Sequence, residues 1–216
     1  MSRTPPKLAD LHPRLASAVV ALADLHRDAN PGTALCLIWG LRTPEEQRRA
    51  HAAGRSKIDG VKRHSLHAYG LAADLWVYTD ADDTRLYENR PPKAEGLQLQ
   101  LLQRGSLRRW YIPLGRLCAE ADPALEAGAL WRTFRDGPHV QIGPRSERVK
   151  LLQAALGDHG FAVGKVDGVD GPKTRAALRA AGEHAGCDWR ASWRQSRLMP
   201  CHPEIFRWLM TTKTVT

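Results

Sequence analysis

Leu8, Leu11, Leu15, Val19, Leu22 and Leu25 recur at three- and four-residue spacing, the period of a helix with one apolar stripe. The pattern predicts an amphipathic helix over residues 8–28, with its regular part starting near Pro13, which a first helical turn tolerates. Asn30-Pro31-Gly32 ends it. Ala34 to Trp39 is a short unbroken apolar run, read as a buried strand closed by Gly40. Thr43-Pro44-Glu45-Glu46 then has the signature of a helix start. Thr43 is the N-cap, Pro44 takes the first helical position and Glu46 completes a capping box, for a helix carrying Gln47 to about Ala53.

Residues 54–66 are polar and contain glycine, as a loop does. Leu71 to Tyr78 alternates as a strand, with Ala72, Asp74 and Trp76 on one face and Leu71, Ala73, Leu75 and Val77 on the other. The charged, proline-bearing stretch from Thr79 to Glu95 reads as an exposed excursion. Leu97–Leu102 and Leu114–Ala121 read as helices, and Val140–Ile142 as a strand with His139 and Gln141 on one face. Gly143-Pro144-Arg145-Ser146 marks a domain boundary, with Ser146 capping a helix that carries Val149, Leu152, Gln153 and Leu156. A connecting segment, Phe161–Val166, and the turn Asp167-Gly168-Val169-Asp170-Gly171-Pro172 lead into a second helix with Thr174, Ala177 and Leu178. The tail holds Trp189, Trp193, Ile205, Phe206, Trp208 and Leu209 and is expected to pack back onto the body.

With 216 residues, 43% of them hydrophobic, the chain can form one medium domain or one domain with a small companion. It has no apolar run of the ~18 residues that a membrane-crossing helix needs. The N-terminal Met1-Ser2-Arg3-Thr4-Pro5-Pro6-Lys7 leads into no continuous apolar segment. No secretory signal is expected, and synthesis in the cytoplasm is. The cysteines Cys36, Cys118, Cys187 and Cys201 are scattered, as buried free thiols are, rather than paired for a disulfide or zinc. The net charge is +9. Residues 145–216 hold 12 Lys+Arg against 7 Asp+Glu, and residues 1–144 hold 20 against 16, so the shorter C-terminal part is more basic per residue. That balance favours a polyanionic partner, whether nucleic acid, membrane surface or cell wall.

The stretch Ser65-Leu66-His67-Ala68-Tyr69-Gly70-Leu71-Ala72-Ala73-Asp74 places an imidazole and a carboxylate seven residues apart with a glycine between them. A catalytic zinc takes three protein ligands and leaves a position for water. His67, Asp74 and His139 would supply that set if the strand at 140–142 pairs beside the strand at 71–78. Asp136, three residues before His139 across a Gly-Pro turn, would place a second carboxylate nearby for proton transfer. Arg42 would be a fixed cation for a substrate carboxylate or a developing oxyanion. Each residue also has an ordinary reading. A lone histidine is commonly a surface or satisfied group, Arg42 an ion-pair partner, and Asp136 the turn residue that Asp-Gly-Pro invites. Asp74 is harder to dismiss, because a charge within an apolar strand needs a partner.

The pattern Ser65-x-His67-x-x-Gly70-x-Ala72-x-Asp74, followed by Asp136-x-x-His139, resembles the zinc peptidases of the D-alanyl-D-alanine carboxypeptidase and L-alanyl-D-glutamate endopeptidase family. Gly40-Leu41-Arg42-Thr43 with Gln47 is similar to that family's Gly-Tyr-Arg-Ser/Thr…Gln element. Trp131-x-x-Phe134-x-Asp136-Gly137-Pro138-His139-Val140-Gln141 resembles the ending of its phage endolysin branch. Leu41 and Val140 stand where the family has aromatics, and Arg63-His64 departs from its loop, which makes His64 a rival ligand. The resemblance implies a small α+β domain with a central antiparallel sheet flanked by helices. It implies His67, Asp74 and His139 as ligands of one Zn2+, Asp136 as general base and acid, and Arg42 as a substrate or transition-state contact, with Ser65 and Gln47 on the substrate side.

Residues 146–182, with Val149…Gln153…Leu156, Gly160-Phe161 and Asp167-Gly168…Gly171-Pro172-Lys173-Thr174, resemble the helical peptidoglycan-binding module, with Asp170 where that module has an aromatic. The two resemblances imply a zinc peptidase domain over 1–144 and a small helical bundle that binds peptidoglycan over 145–216. The expected protein is a monomeric, endolysin-type peptidoglycan hydrolase cutting a stem-peptide bond, L-alanyl-D-glutamate in preference. It would act on the bacterial cell wall or periplasm, with a holin as a functional partner for export. Three rivals stay open: a carboxypeptidase of the same family, a non-catalytic wall-binding or virion structural protein, and a nucleic-acid binder. The last rests on charge alone, since the basic residues are spread rather than striped.

Overall fold

The computed structural model describes residues 6–60, 64–79, 86–88, 98–99, 106–187 and 198–211. They divide into two compact units, one drawn from Met1–Arg42 and Gly70–Ile142 and the other from Thr43–Tyr69 and Gly143–Thr216. Arg63, Trp189, Trp193 and most of the stretch from 80 to 105 lie outside the described residues.

The first unit is a sheet with helices on it. Its strands are β1 (Thr33–Trp39), β2 (Ala72–Thr79), β3 (Tyr87–Glu88), β4 (Gln98–Leu99), β5 (Leu125–Ala127) and β6 (His139–Ile142). They run in the order β3-β1-β2-β6-β5, with β4 paired to β2. All pairings are antiparallel except β1 with β3. The fold is α+β, as the resemblance implied. Ala73, Leu75 and Val77 are fully buried on one face of β2, as alternation requires. Helix α1 (Pro13–Ala29) buries Leu15, Val19 and Leu22 and packs on β1 and on α3 (Ile112–Ala121), which follows a π-helical turn at Leu107–Tyr111. Arg14, at the start of α1, grips Asp122 at the C-cap of α3 with two hydrogen bonds of 2.8 and 2.9 Å.

Three expectations are corrected. The segment read as a helix at Leu97–Leu102 contains β4, where Gln98 and Leu99 pair with Thr79 and Tyr78; two ladder rungs override a weak helical pattern. The excursion from Thr79 contains β3, paired with Cys36 and Leu37. Ser146 is not the cap of its helix, which starts at Arg145 after Pro144 with no side-chain cap. The extended Pro144 backbone already sets the start two residues earlier.

The second unit is helical. Helix α2 (Pro44–Ala52) starts with the expected capping box: Thr43 Oγ1 accepts from Glu46 N–H at 3.2 Å, and Glu46 Oε2 accepts from Thr43 N–H at 2.9 Å. Helices α4 (Arg145–Asp158) and α5 (Pro172–His184) bury Val149, Leu152, Leu156, Ala177, Leu178 and Ala181. The tail packs back as expected. In helix α6 (Pro203–Thr211), Ile205, Phe206 and Leu209 are buried; Tyr69 meets Phe206 edge-on and donates from its hydroxyl to Cys201 O at 2.8 Å. Asp170 accepts from Arg145 and Arg175, each at 3.2 Å, so the charge in the aromatic's place is neutralised. The cysteines are free thiols; three are buried, and Cys187 is half-buried. Among the described residues no helix is long and apolar enough to cross a membrane.

One buried amide closes the glycine-rich turn between α4 and α5. Gln153 is 1% exposed. Its Oε1 accepts from the backbone N–H groups of Asp167 and Gly168 at 3.0 and 2.8 Å. Its Nε2 donates to Asp167 Oδ1, Val169 O and Thr174 Oγ1 at 2.9–3.1 Å. Leucine fills similar volume but abandons two backbone donors. Gln153→Leu is therefore expected to lower stability by about 2–4 kcal/mol, measured by urea unfolding. A change under about 0.5 kcal/mol would mean that water replaces the amide.

Two imidazoles make the first unit acid-sensitive. His26 is 1% exposed, with Nε2 3.0 Å from Thr33 Oγ1, and burial lowers its pKa to about 4. His12 caps α1 by accepting from Arg14 N–H at Nδ1 (3.2 Å); burial and the nearby Arg14 charge lower it to about 4 as well. Both rings bind fewer protons folded than unfolded, so their stabilisation is complete above the unfolded pKa near 6.5 and is lost as pH falls toward about 4. His12→Asn keeps a capping acceptor that gains no proton. The variant should lose on the order of 1–3 kcal/mol less than wild type between pH 7 and pH 4.5, read from urea unfolding at both values. Equal losses would clear His12 of the effect.

Candidate metal centre

The site is written across the strands. Trp39 of β1, Asp74 of β2 and His139 of β6 are consecutive cross-strand partners, so their side chains share one face. The row depends on a bulge in β1, where the register shifts between Leu37 opposite Leu75 and Trp39 opposite Asp74. Ile38 is the extra residue, and bulges of this kind re-aim side chains beside functional sites. The expected pairing of the 140–142 strand with the 71–78 strand is thus present, with Asp74 directly opposite His139.

His139 Nδ1 lies 3.1 Å from Asp74 Oδ1. The other carboxylate oxygen of Asp74, Oδ2, is 3.6 Å from the guanidinium of Arg42. Arg42 is buried, and its guanidinium lies over the Trp39 ring, 5.0 Å from the centroid, where a cation is held by the ring face. The Trp131 ring packs against the His139 imidazole with centroids 5.2 Å apart. His67 is buried in the 3-10 turn Leu66–Tyr69. Gly70, just after that turn, has φ +67°, and a Cβ there would meet Asp10 O at 3.0 Å and His12 N at 3.2 Å. Glycine is required at this position both for its backbone angle and for the close approach.

Of the expected ligand set, Asp74 and His139 lie together in the first unit, and His67 belongs to the second. Two imidazoles and a carboxylate suit zinc, whereas magnesium and calcium prefer all-oxygen shells. The 3.1 Å between His139 Nδ1 and Asp74 Oδ1 is close to the ~3.3 Å that separates two ligands on a tetrahedral ion with ~2.0 Å bonds. This pair is therefore spaced as two ligands of a zinc ion are. Burial disfavours a charged His139, but the hydrogen bond and charge of Asp74, the hydrogen bond to Gln141 and the charge of Asp136 outweigh it, and the pKa is raised. A metal would have to displace that proton, so its affinity falls in acid.

Asp136 stands one turn before His139, whose N–H donates to Asp136 O at 3.3 Å. Asp136 N–H donates in turn to Gly128 O at 3.1 Å. Ser65 and Gln47 are buried and bonded to each other: Ser65 Oγ donates to Gln47 Oε1 at 3.0 Å. The Gln47 amide also donates to Ser56 Oγ and Ile58 O, at 2.8 and 2.6 Å, and so braces its loop. The His64 ring, the rival ligand, meets His202 edge-on with centroids 4.8 Å apart. Sequence reasoning missed Gly128, Glu126 and the contacts of Gln141. Gln141 was visible as a polar residue two positions after His139 on a strand, whereas nothing in the sequence marks Gly128.

Residues 145–187 match the family model described as "Putative peptidoglycan binding domain". Among solved structures, the L-Ala D-Glu endopeptidase ChiX of Serratia marcescens is similar at 21% identity and a TM-score of 0.43, over 62% of this chain and 82% of that chain.

Gly128 sets how closely the Asp136–His139 turn can approach β5. A Cβ there would lie 2.6 Å from Asp136 O and 3.1 Å from both Asp136 Cβ and His139 Cβ. Backbone must move to admit it. Gly128→Ala is expected to cost about 1–3 kcal/mol and to weaken zinc binding at least about tenfold, since ligand placement tolerates ~0.5 Å. Zinc competition with a chromophoric chelator reads this directly, and unchanged affinity would show that the turn yields without disturbing His139.

Proposed function

We propose that the protein is a peptidoglycan hydrolase that cuts a stem-peptide bond, L-alanyl-D-glutamate in preference, by metal-assisted attack of water. The observation that carries this reading is the Asp74–His139 pair, with Asp136 one turn from His139 and the 145–187 match to a peptidoglycan-binding family alongside. In this reading residues 1–144 form the catalytic domain and residues 145–216 hold the enzyme on the wall. Holding two sites on one polymer raises avidity by ~10²–10⁴ without any new contact, and the net charge of +9 suits an anionic wall.

A zinc ion held by His67, Asp74 and His139 would supply a Lewis acid that polarises the scissile carbonyl and lowers the pKa of the attacking water toward ~7. Asp136 takes the proton of that water on its carboxylate and returns it to the leaving amine. Arg42, steadied by Trp39 and by Asp74, keeps a positive charge beside the site for the negative charge that develops on the substrate. Gln47 and Ser65, hydrogen-bonded to each other, are the further substrate contacts in this reading. A carboxypeptidase of the same chemistry would instead release a terminal D-alanine.

Mass spectrometry of digested peptidoglycan separates the two. An endopeptidase frees new amino termini on D-glutamate, and a carboxypeptidase frees only D-alanine. Asp136→Ala should retain bound zinc and lose about 10²–10⁴-fold in rate, while chelation should abolish cleavage and added zinc restore it. Full activity in Asp136→Ala would place the base elsewhere, and cleavage that resists chelation would remove the metal.

A further inference from the structure

We infer that Gln141, held by Glu126, selects the tautomer of His139, so that Nδ1 is the atom His139 offers to a metal. This rests on the metal reading above. Gln141 lies two residues after His139 on β6, hence on the same face, and Glu126 of β5 is its direct cross-strand partner. Gln141 Nε2 is 2.9 Å from Glu126 Oε2, and Gln141 Oε1 is 3.0 Å from His139 Nε2.

The chemistry of these groups leaves one assignment. An ionised carboxylate only accepts, so the Gln141 amide nitrogen must face Glu126. The amide oxygen then faces His139 and accepts, so His139 Nε2 must carry a hydrogen. With Nε2 occupied, the lone pair available to a metal is on Nδ1, the atom that faces Asp74 at 3.1 Å. Gln141 is thus a positioning residue that acts through His139. The sheet builds the relay: successive same-face positions of β6 carry the ligand and its orienter, and β5 supplies the anchor.

The test uses the full chain and zinc itself. Zinc affinity is measured by chelator competition, and the His139 ring by long-range proton–nitrogen NMR of the zinc-loaded protein. Wild type should show hydrogen on Nε2 and zinc on Nδ1. Gln141→Leu should weaken zinc binding about 10–100-fold with little change in melting temperature, since this side chain is half-exposed. Glu126→Ala should weaken it in the same direction, and Glu126→Gln, which can still present an oxygen to Gln141, should restore it to within about threefold. Zinc on Nε2 in wild type, or wild-type affinity in Gln141→Leu, would overturn the relay while leaving the metal reading intact. Failure of wild type to bind zinc would overturn both.

Discussion

The pairing of β2 with β6 is the constraint on which the site depends. It sets Asp74 opposite His139, and it sets Ala72 opposite Gln141 one same-face step away. Strand side chains alternate with a period of two, so a slip of one residue would turn His139 and Gln141 to the opposite face together. The register is held by burial. Ala73 and Val140, the intervening pair, are both essentially inaccessible to solvent, and a slip would expose them. The ladder continues at both ends, with Leu75 N–H donating to Pro138 O at 2.8 Å and Ile142 N–H to Leu71 O at 3.0 Å. Hydrophobic burial on one side of two short strands thereby fixes the polar chemistry on the other.

The same row explains why Asp74 is tolerated in an apolar strand. Its two oxygens are divided, one toward His139 and the other toward Arg42. A buried carboxylate without such partners would be costly. Arg42 in turn lies over Trp39, which the β1 bulge brings into line with Asp74. Removing either charge would leave the other largely shielded from water and less compensated, so the cation and the carboxylate belong to one arrangement rather than to separate functions. The helical unit handles a turn by comparable means. Gln153 satisfies the backbone of the 167–169 segment from inside, and Asp170 draws Arg145 and Arg175 to the place where an aromatic would have packed.

Much of this was legible in the chain. The α1 stripe, the capping box at Thr43–Glu46, the alternation of β2 and the Gln153 helix are local patterns, and local patterns report local structure. So is the spacing of His67, Gly70 and Asp74. The short strands were not legible. β3, β4 and β5 are two or three residues long, too short for any periodicity, and they exist because a longer neighbour offers unpaired backbone groups. Ser146 failed as a cap because one proline shifted the start of its helix.

By itself, the sequence determined which side chains could do chemistry and which faces of each element would be buried, because residue type and period are properties of the chain. Tertiary structure alone decided which of those side chains meet. His139 lies 65 residues from Asp74, and only the β2–β6 register joins them. Gly128 matters only because a turn eight residues later folds against it, and Gln141 gained its part only when Glu126 arrived across the sheet. Pairing between strands distant in the chain follows from competing burial over the whole fold, which no local window contains.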